Sequence, residues 1–229
     1  MKTLNQRILS ELQLCSEEKY KIFNAKIVPT KQRMLGVRVP LLRKMAKKIS
    51  QGDSDAFIQL DKKNIYEMVL LEGIVLSYVN KPFKDLVLQL ETYLYKVDNW
   101  AQIDTPILSF KTILEDKVYA YEVVKRWLVS DREYIVRAAL VILLNYFVQE
   151  DYLDDIFKFS QEIKHDGYYV FMANAWLISV CMVKYPDETI SFYKSNTLDK
   201  KTHNKAIQKS IESFRVSKKN KLAIKKLKL

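Results

Sequence analysis

Residues 134–144 read YIVRAALVILL, an apolar run that only Arg137 interrupts. The apolar character continues to Val148, with Asn145 as the second polar interruption, and the whole run is too short to span a bilayer. Its Val and Ile residues keep helical spacing rather than the alternation of a strand. The run therefore predicts a buried α-helix with one charged residue on it.

The same helical spacing recurs along the 229 residues, which contain only 4 Gly and 5 Pro. Turn-rich β folds and collagen-like chains need more of both, and a hydrophobic content of 48% excludes a disordered chain. Short polar connections favour antiparallel neighbours, so the expected fold is an all-α solenoid of helix pairs with a concave groove. The predicted helices span residues 4–15, 41–49, 65–79, 83–97, 100–114, 118–129, 132–148, 151–163, 167–184, 186–194 and 202–214, with Pro40 opening the second and Asn64 capping the third.

The positive charge is concentrated at the C-terminal end. Residues 200–229 carry eleven Lys and Arg against one Glu, whereas residues 1–199 are nearly neutral. We therefore expect one domain over residues 1–215 and a basic arm over residues 216–229. Such an arm attracts polyanions, or it is a solvated tail. The spacing of the apolar residues in 218–229 indicates that part of it can form a helix and dock.

The inventory of reactive side chains excludes most catalytic classes. There are two histidines, His165 and His203, and two cysteines, of which Cys181 lies in an apolar stretch. No metal-binding motif or glycine-rich phosphate loop is present. We expect no cofactor and no metal, and we expect a monomer. The polar first ten residues indicate no signal peptide and favour a cytoplasmic protein. An enzyme of this composition would work with carboxylates, aromatic rings and arginines.

Four residues stand out because packing alone does not require them: Trp100, Asp104, Arg137 and Trp176. A spacing of four places Trp100 and Asp104 on one helix face. Each residue also has a structural interpretation. Asp104 could cap a helix before Thr105, the tryptophans could be core aromatics, and the buried guanidinium could be ion-paired within the protein.

Together with an N-terminal signature, these four residues carry a family resemblance. The signature is MLGVRVPLLR, residues 34–43, and the four residues follow it in order with steps of 4, 33 and 39. With these residues in this order, residues 18–215 of the chain resemble the HEAT-like-repeat DNA alkylation repair proteins, the AlkD-type DNA glycosylases. The resemblance implies an α-solenoid of HEAT-like repeats whose basic concave groove holds alkylated duplex DNA.

The resemblance also implies an activity and a role for each residue. The family hydrolyses the N-glycosidic bond of N3- and N7-alkylated purines without flipping the base. Trp100 and Trp176 would pack against the lesion's deoxyribose, Asp104 would stabilise positive charge at C1′ and orient water, and Arg137 would hold a phosphate. Arg43 and Lys47, on the helix that follows the signature, are further candidate DNA contacts. No membrane partner is implied.

The chain departs from the family pattern near the second tryptophan. Active members commonly carry basic residues around it, whereas residues 171–179 here contain none, and Ile135 and Val136 stand where some members have a second arginine. Two alternatives therefore stay open. The chain could be a catalytically silent DNA-binding member of the family, or a HEAT-type scaffold for protein interactions.

Overall fold

The computed structural model describes residues 3–229, and within that range it contains helices and no β-strand. None of these helices has the length and hydropathy of a bilayer-crossing segment. The all-α prediction is confirmed. The helices are α1 Leu4–Leu14, α2 Glu18–Ile27, α3 Val39–Ser50, α4 Ser54–Gln59, α5 Tyr66–Tyr78, α6 Phe83–Leu94, α7 Ala101–Ile107, α8 Lys117–Leu128, α9 Glu133–Ile142, α10 Glu150–Glu162, α11 Tyr168–Lys184, α12 Pro186–Ser195, α13 Lys200–Glu212 and α14 Lys218–Lys225.

The chain divides into two compact units, Met1–Ala120 and Tyr121–Leu229. In the first, α5 is the central helix and packs against α3 and α7. Its residues from Tyr66 to Ser77 are all buried, which explains why it shows no polar face. A Cβ on Gly73 would lie 2.5 Å from Cζ of Tyr93 and 2.6 Å from Cγ of Pro106. The glycine therefore lets α7 approach α5 closely.

The signature segment, residues 34–43, is held by a buried carboxylate. Glu67, with no exposed surface, accepts hydrogen bonds from the backbone N–H groups of Leu35 at 2.8 Å, Gly36 at 2.6 Å and Val37 at 3.3 Å. Gly36 has φ +97°, and a Cβ there would lie 2.6 Å from the carbonyl oxygen of Glu17. The glycine of the signature is thus a backbone requirement, because the loop needs left-handed φ and close approach at Gly36.

Replacing Gly36 by alanine should lower the free energy of unfolding by about 2–4 kcal/mol, since it adds left-handed strain and an overlap with backbone. Urea unfolding followed by circular dichroism measures the change. Gly52→Ala is the matched control, because a Cβ at Gly52 meets no atom within 4 Å. Equal effects of the two substitutions would contradict this account of the loop.

A buried lysine joins the end of α4 to α5. The Lys62 ammonium lies 3.0 Å from the Glu72 carboxylate and donates to the carbonyl oxygens of Phe57 at 2.9 Å and Leu60 at 2.6 Å. Burial lowers the pKa of Lys62, and the Glu72 carboxylate opposes that shift. Lys96 pairs with the other oxygen of Glu72 at 2.7 Å. The cluster therefore joins the end of α4 to α5 inside the first unit, and of its three charged groups only Lys96 reaches solvent.

The second unit is built around α11, which packs against α9 and α13. The apolar run quoted first forms most of α9 and continues as a π-helical stretch, Leu143–Phe147. Residues Ile135 to Ile142 are all buried, including Arg137. The predicted helix with one charged residue is confirmed, although its last turn widens from α to π geometry.

The basic arm docks on the second unit. Ile224 of α14 has no exposed surface, and a ring nitrogen of His203, Nε2, lies 2.8 Å from the carbonyl oxygen of Leu227. Asn204 and Leu229 exchange two hydrogen bonds, at 2.9 and 3.0 Å. These contacts join α14 and the residues after it to α13. Docking is therefore confirmed, and the alternative of a solvated tail is wrong.

The predicted cap at Asn64 is wrong, because the N-cap of α5 is Ile65. Lys63 and Asn64 have φ of 51° and 52°, and this left-handed turn lets the Ile65 N–H bond to the carbonyl oxygen of Lys62 at 3.0 Å. Asparagine tolerates left-handed backbone well, so it serves in the turn instead of at the cap. Two short helices, α2 and α4, were outside the predicted set.

Candidate functional site

The start of α7 places Trp100 at a surface. The indole Nε1 donates to the carbonyl oxygen of Ile27 at 3.1 Å, and the side chain is half-buried. Asn99, fully buried, accepts hydrogen bonds from the N–H groups of Ala101 at 3.1 Å and Gln102 at 3.2 Å. These bonds satisfy the first free N–H groups of the helix. The hydrogen bond to Ile27 thus orients the Trp100 ring at its Nε1 edge, and the side chain remains partly open to solvent.

Asp104 lies one turn further along α7 and is 7% exposed. Its N–H donates to the carbonyl oxygen of Trp100 at 2.9 Å, and its own carbonyl oxygen accepts from Leu108 at 3.0 Å. The predicted spacing of one helical turn between the indole and the carboxylate is therefore confirmed. The alternative that Asp104 caps a helix is wrong, because α7 begins before it and continues after it.

The proline two residues after Asp104 does not break α7. Pro106 lacks the N–H that would donate to the carbonyl oxygen of Gln102, and the hydroxyl of Tyr93 donates to that oxygen instead. Burial raises the pKa of Tyr93 well above its ordinary value, which keeps the hydroxyl protonated as a donor. The helix that carries Asp104 thus keeps its course because a neighbouring helix replaces the lost bond.

Arg43 holds the other end of α7. Its guanidinium donates to the hydroxyl of Tyr78 at 3.2 Å, to the carbonyl oxygen of Thr105 at 3.3 Å and to the hydroxyl of Ser109. A cation at a helix C-terminus also interacts favourably with the helix dipole. Arg43 therefore positions the turn that contains Asp104. Lys47, one turn further along α3, is exposed.

Arg137 and Trp176 belong to the second unit. Arg137 is 6% exposed, and its Nη1 donates to the carbonyl oxygen of Tyr169 at 2.8 Å. Its guanidinium also lies 5.9 Å from the centroid of the Tyr169 ring. Glu133, one turn before Arg137 on α9, accepts from the Tyr169 N–H at 2.6 Å. Both side chains of α9 thus hold the first turn of α11, the helix that carries Trp176.

The three tryptophans differ in exposure. Trp127 is 3% exposed and belongs to the core of the second unit. Trp100 and Trp176 are both half-buried, even though the residues beside Trp176, Ala175 and Leu177, are buried. The core interpretation therefore fits Trp127 and not the two tryptophans that the sequence singled out. A ring partly open to solvent is available to a ligand.

Other reactive side chains are occupied or unreactive. Burial raises the pKa of the Cys181 thiol to about 12, so the thiolate nucleophile is scarce near neutral pH. His203 is buried, with Nε2 on Leu227 and Nδ1 close to Asn196. His165 lies in a loop, where Nδ1 accepts from the Gly167 N–H at 3.0 Å. Carboxylate and aromatic groups thus remain the candidates for chemistry.

Several supporting residues escaped the sequence analysis. Glu67 and Tyr93 act through contacts with residues distant in the chain, so their partners cannot be read from local spacing. Asn99 acts on the N–H groups two and three residues ahead of it, which is a local pattern that the sequence analysis missed. Arg43 was expected at DNA, and the structure shows its guanidinium bound to protein groups in the first unit. Signals existed for Glu67, an acidic residue inside an otherwise apolar helix, and for Asn99, a favoured cap residue directly before a predicted helix.

Comparison with known proteins agrees with these observations. The family model described as DNA alkylation repair enzyme matches residues 8–213, a range that includes the signature segment and the residues Trp100, Asp104, Arg137 and Trp176. No curated protein matches the chain. The family supports a role for an enzyme in DNA repair, with DNA as its partner. With a match over nearly its whole length, the chain belongs to the DNA alkylation repair enzyme family.

Proposed function

We propose that the chain is a DNA glycosylase that hydrolyses the N-glycosidic bond of N3- or N7-alkylated purines in duplex DNA without flipping the base. The observation that carries the proposal is the pair on α7. A carboxylate that is 7% exposed lies one turn from a half-buried indole. The position of this helix is defined by Arg43 at one end and Asn99 at the other.

The chemistry suits a carboxylate and requires no metal or cofactor. An alkylated purine carries positive charge, so the C1′–N bond breaks with its electron pair moving to the base, which leaves neutral. Positive charge then develops on the sugar, where Asp104 stabilises it. A carboxylate away from bulk water acts more strongly on such charge than an exposed one. Water attacks C1′, and its proton passes to the carboxylate or to solvent.

The aromatic and basic residues have binding roles in this proposal. Trp100 and Trp176 contact deoxyribose and backbone through ring faces, which attract a cationic sugar. A phosphate contact by Arg137 stays a prediction beside its observed hydrogen bond to the Tyr169 carbonyl oxygen, and exposed Lys47 adds charge along α3. A direct DNA contact by Arg43 stays a prediction beside its observed role in positioning α7, and so does the concave groove. We propose residues 1–215 as the repair domain and a monomer as the active form.

The test is release of free base. The full chain is incubated with duplex DNA containing 7-methylguanine, and the released base is measured against a duplex without the lesion. Release above the uncatalysed rate is expected. No release from protein whose helical circular dichroism spectrum is intact would refute the glycosylase.

A silent DNA-binding module is the second candidate, and one observation favours it. Residues 171–179 of α11 contain no basic side chain around Trp176. A module of this kind would bind duplex or branched DNA with strong salt dependence and release no base. The same incubation, with binding measured on the same duplex, separates the two functions.

A further inference from the structure

The first turns of α11 present a stripe of large apolar side chains to solvent. Tyr168 is 59% exposed, and Phe171 and Met172 are half-buried, although most of the rest of α11 is buried. Their spacing of three and four residues places them on one helix face. Large apolar side chains grouped at a surface indicate an interaction site. The stripe runs toward Trp176, one turn beyond Met172.

A row of cationic and amide side chains on α13 faces this stripe across a cleft of about 380 Å³. Lys201 and Lys205 lie one turn apart on the cleft side of α13, and Lys228, which follows α14, completes the wall. The ammonium of Lys201 lies 4.3 Å from the centroid of the Phe171 ring. Among residues 3–229, no aspartate or glutamate lines the cleft, although Asp199 caps the nearby start of α13.

The docked arm is what brings Lys228 to this cleft. Leu227 and Leu229, on either side of it, are bound by His203 and Asn204 of α13. The basic arm thus adds a positioned charge to a concave surface, which a frayed tail would not do. The cleft combines three lysines with the exposed ring of Tyr168, the pairing of groups that single-stranded nucleic acid requires.

We propose that this cleft binds a short single-stranded segment of DNA, with its phosphates on the lysines and a base stacked on Tyr168. A single strand fits better than a duplex, because the faces of paired bases are covered by their neighbours and the Tyr168 ring needs an open face. The inference rests on the proposed function only in taking DNA as the polyanion. The cleft belongs entirely to the second unit and does not include Asp104.

Fluorescence anisotropy with labelled dT12, an undamaged oligonucleotide, tests the cleft in the full chain. Tyr168→Ala should weaken binding about tenfold, because stacking contributes about 1–3 kcal/mol per base. Phe214→Ala is the matched control, because Phe214 is fully exposed and lies outside the cleft lining. It should leave the affinity unchanged. Circular dichroism confirms that both variants fold.

Paired lysine variants test the phosphate contacts. K201Q/K205Q should reduce the magnitude of the slope of log affinity against log salt by about 1.4, since each single-strand phosphate contact contributes about 0.7 to that slope. K218Q/K219Q removes the same charge from the start of α14, outside the cleft lining, and should change the slope much less.

Three results would overturn the proposed binding at the cleft. They are no binding of dT12, equal losses of affinity from Tyr168→Ala and Phe214→Ala, or equal salt slopes of log affinity for the two lysine double variants. Tighter binding of rU12 than of dT12 would overturn the choice of DNA. Because these oligonucleotides carry no lesion, failure of the cleft is distinguishable from failure of the glycosylase. A protein that binds dT12 as expected but releases no 7-methylguanine keeps the cleft and loses the proposed activity.

Discussion

Asp104→Asn is expected to reduce the release of 7-methylguanine from duplex DNA by at least about 100-fold, the size of effect seen when one preorganised electrostatic group is removed. The amide keeps the shape of the side chain and loses its negative charge, so the developing charge on the sugar is no longer stabilised. Single-turnover release, with enzyme in excess, measures the chemical step directly. Binding to the same duplex should stay close to that of the unchanged protein.

Asp85→Asn is the matched control for charge, because Asp85 is an exposed aspartate of α6 in the same unit. It should release base at the unchanged rate. Thermal unfolding of both variants shows whether Asp104→Asn also disturbs α7. If folded Asp104→Asn protein releases base at the same rate as Asp85→Asn, the Asp104 carboxylate has no role in the mechanism.

Glu67→Ala is expected to lower the free energy of unfolding by about 3–5 kcal/mol, the largest stability effect we predict. The substitution leaves three backbone N–H groups of the signature loop without their acceptor, and each unsatisfied buried group costs about 1–3 kcal/mol. Because water can partly enter the loop, the expected loss is smaller than the sum of the three separate costs. Urea unfolding followed by circular dichroism measures the loss.

Glu115→Ala controls for the removal of a glutamate, since Glu115 is exposed in the same unit. A change within about 0.5 kcal/mol is expected there. Glu67→Gln should fall between the two, because its amide oxygen still accepts while its NH₂ group does not. If Glu67→Ala unfolds at the same urea concentration as Glu115→Ala, the carboxylate does not hold the loop.

The long helices were predictable because their patterns are local. Apolar spacing located α3, α5, α6 and α8 to α13 to within a few residues, when α9 is counted together with the π-helical stretch Leu143–Phe147. The errors came where backbone geometry overrides pattern: a left-handed turn moved the cap from Asn64 to Ile65. The region from residue 100 to 114 was one predicted helix, and in the structure it is α7 followed by a 3₁₀ turn, Lys111–Leu114.

The candidate site was predictable only as a set of residue types. Local spacing placed Trp100 and Asp104 one turn apart, and the sequence contains no metal-binding motif or glycine-rich phosphate loop. Exposure could not be read from either, and it is exposure that separates Trp100 and Trp176 from the buried Trp127. The partners of Arg43 and Glu67 lie about 30 to 66 residues away in the chain.

The amino-acid sequence alone thus determined the helices, the spacing of the family residues and the position of the positive charge, because each depends on near neighbours in the chain. The packing of distant helices decided the rest. It buried Asp104, turned Arg43 toward the end of α7, and docked the basic arm so that Lys228 lines a cleft. Burial and hydrogen-bond partners are properties of the assembled core, and no short window of sequence contains them.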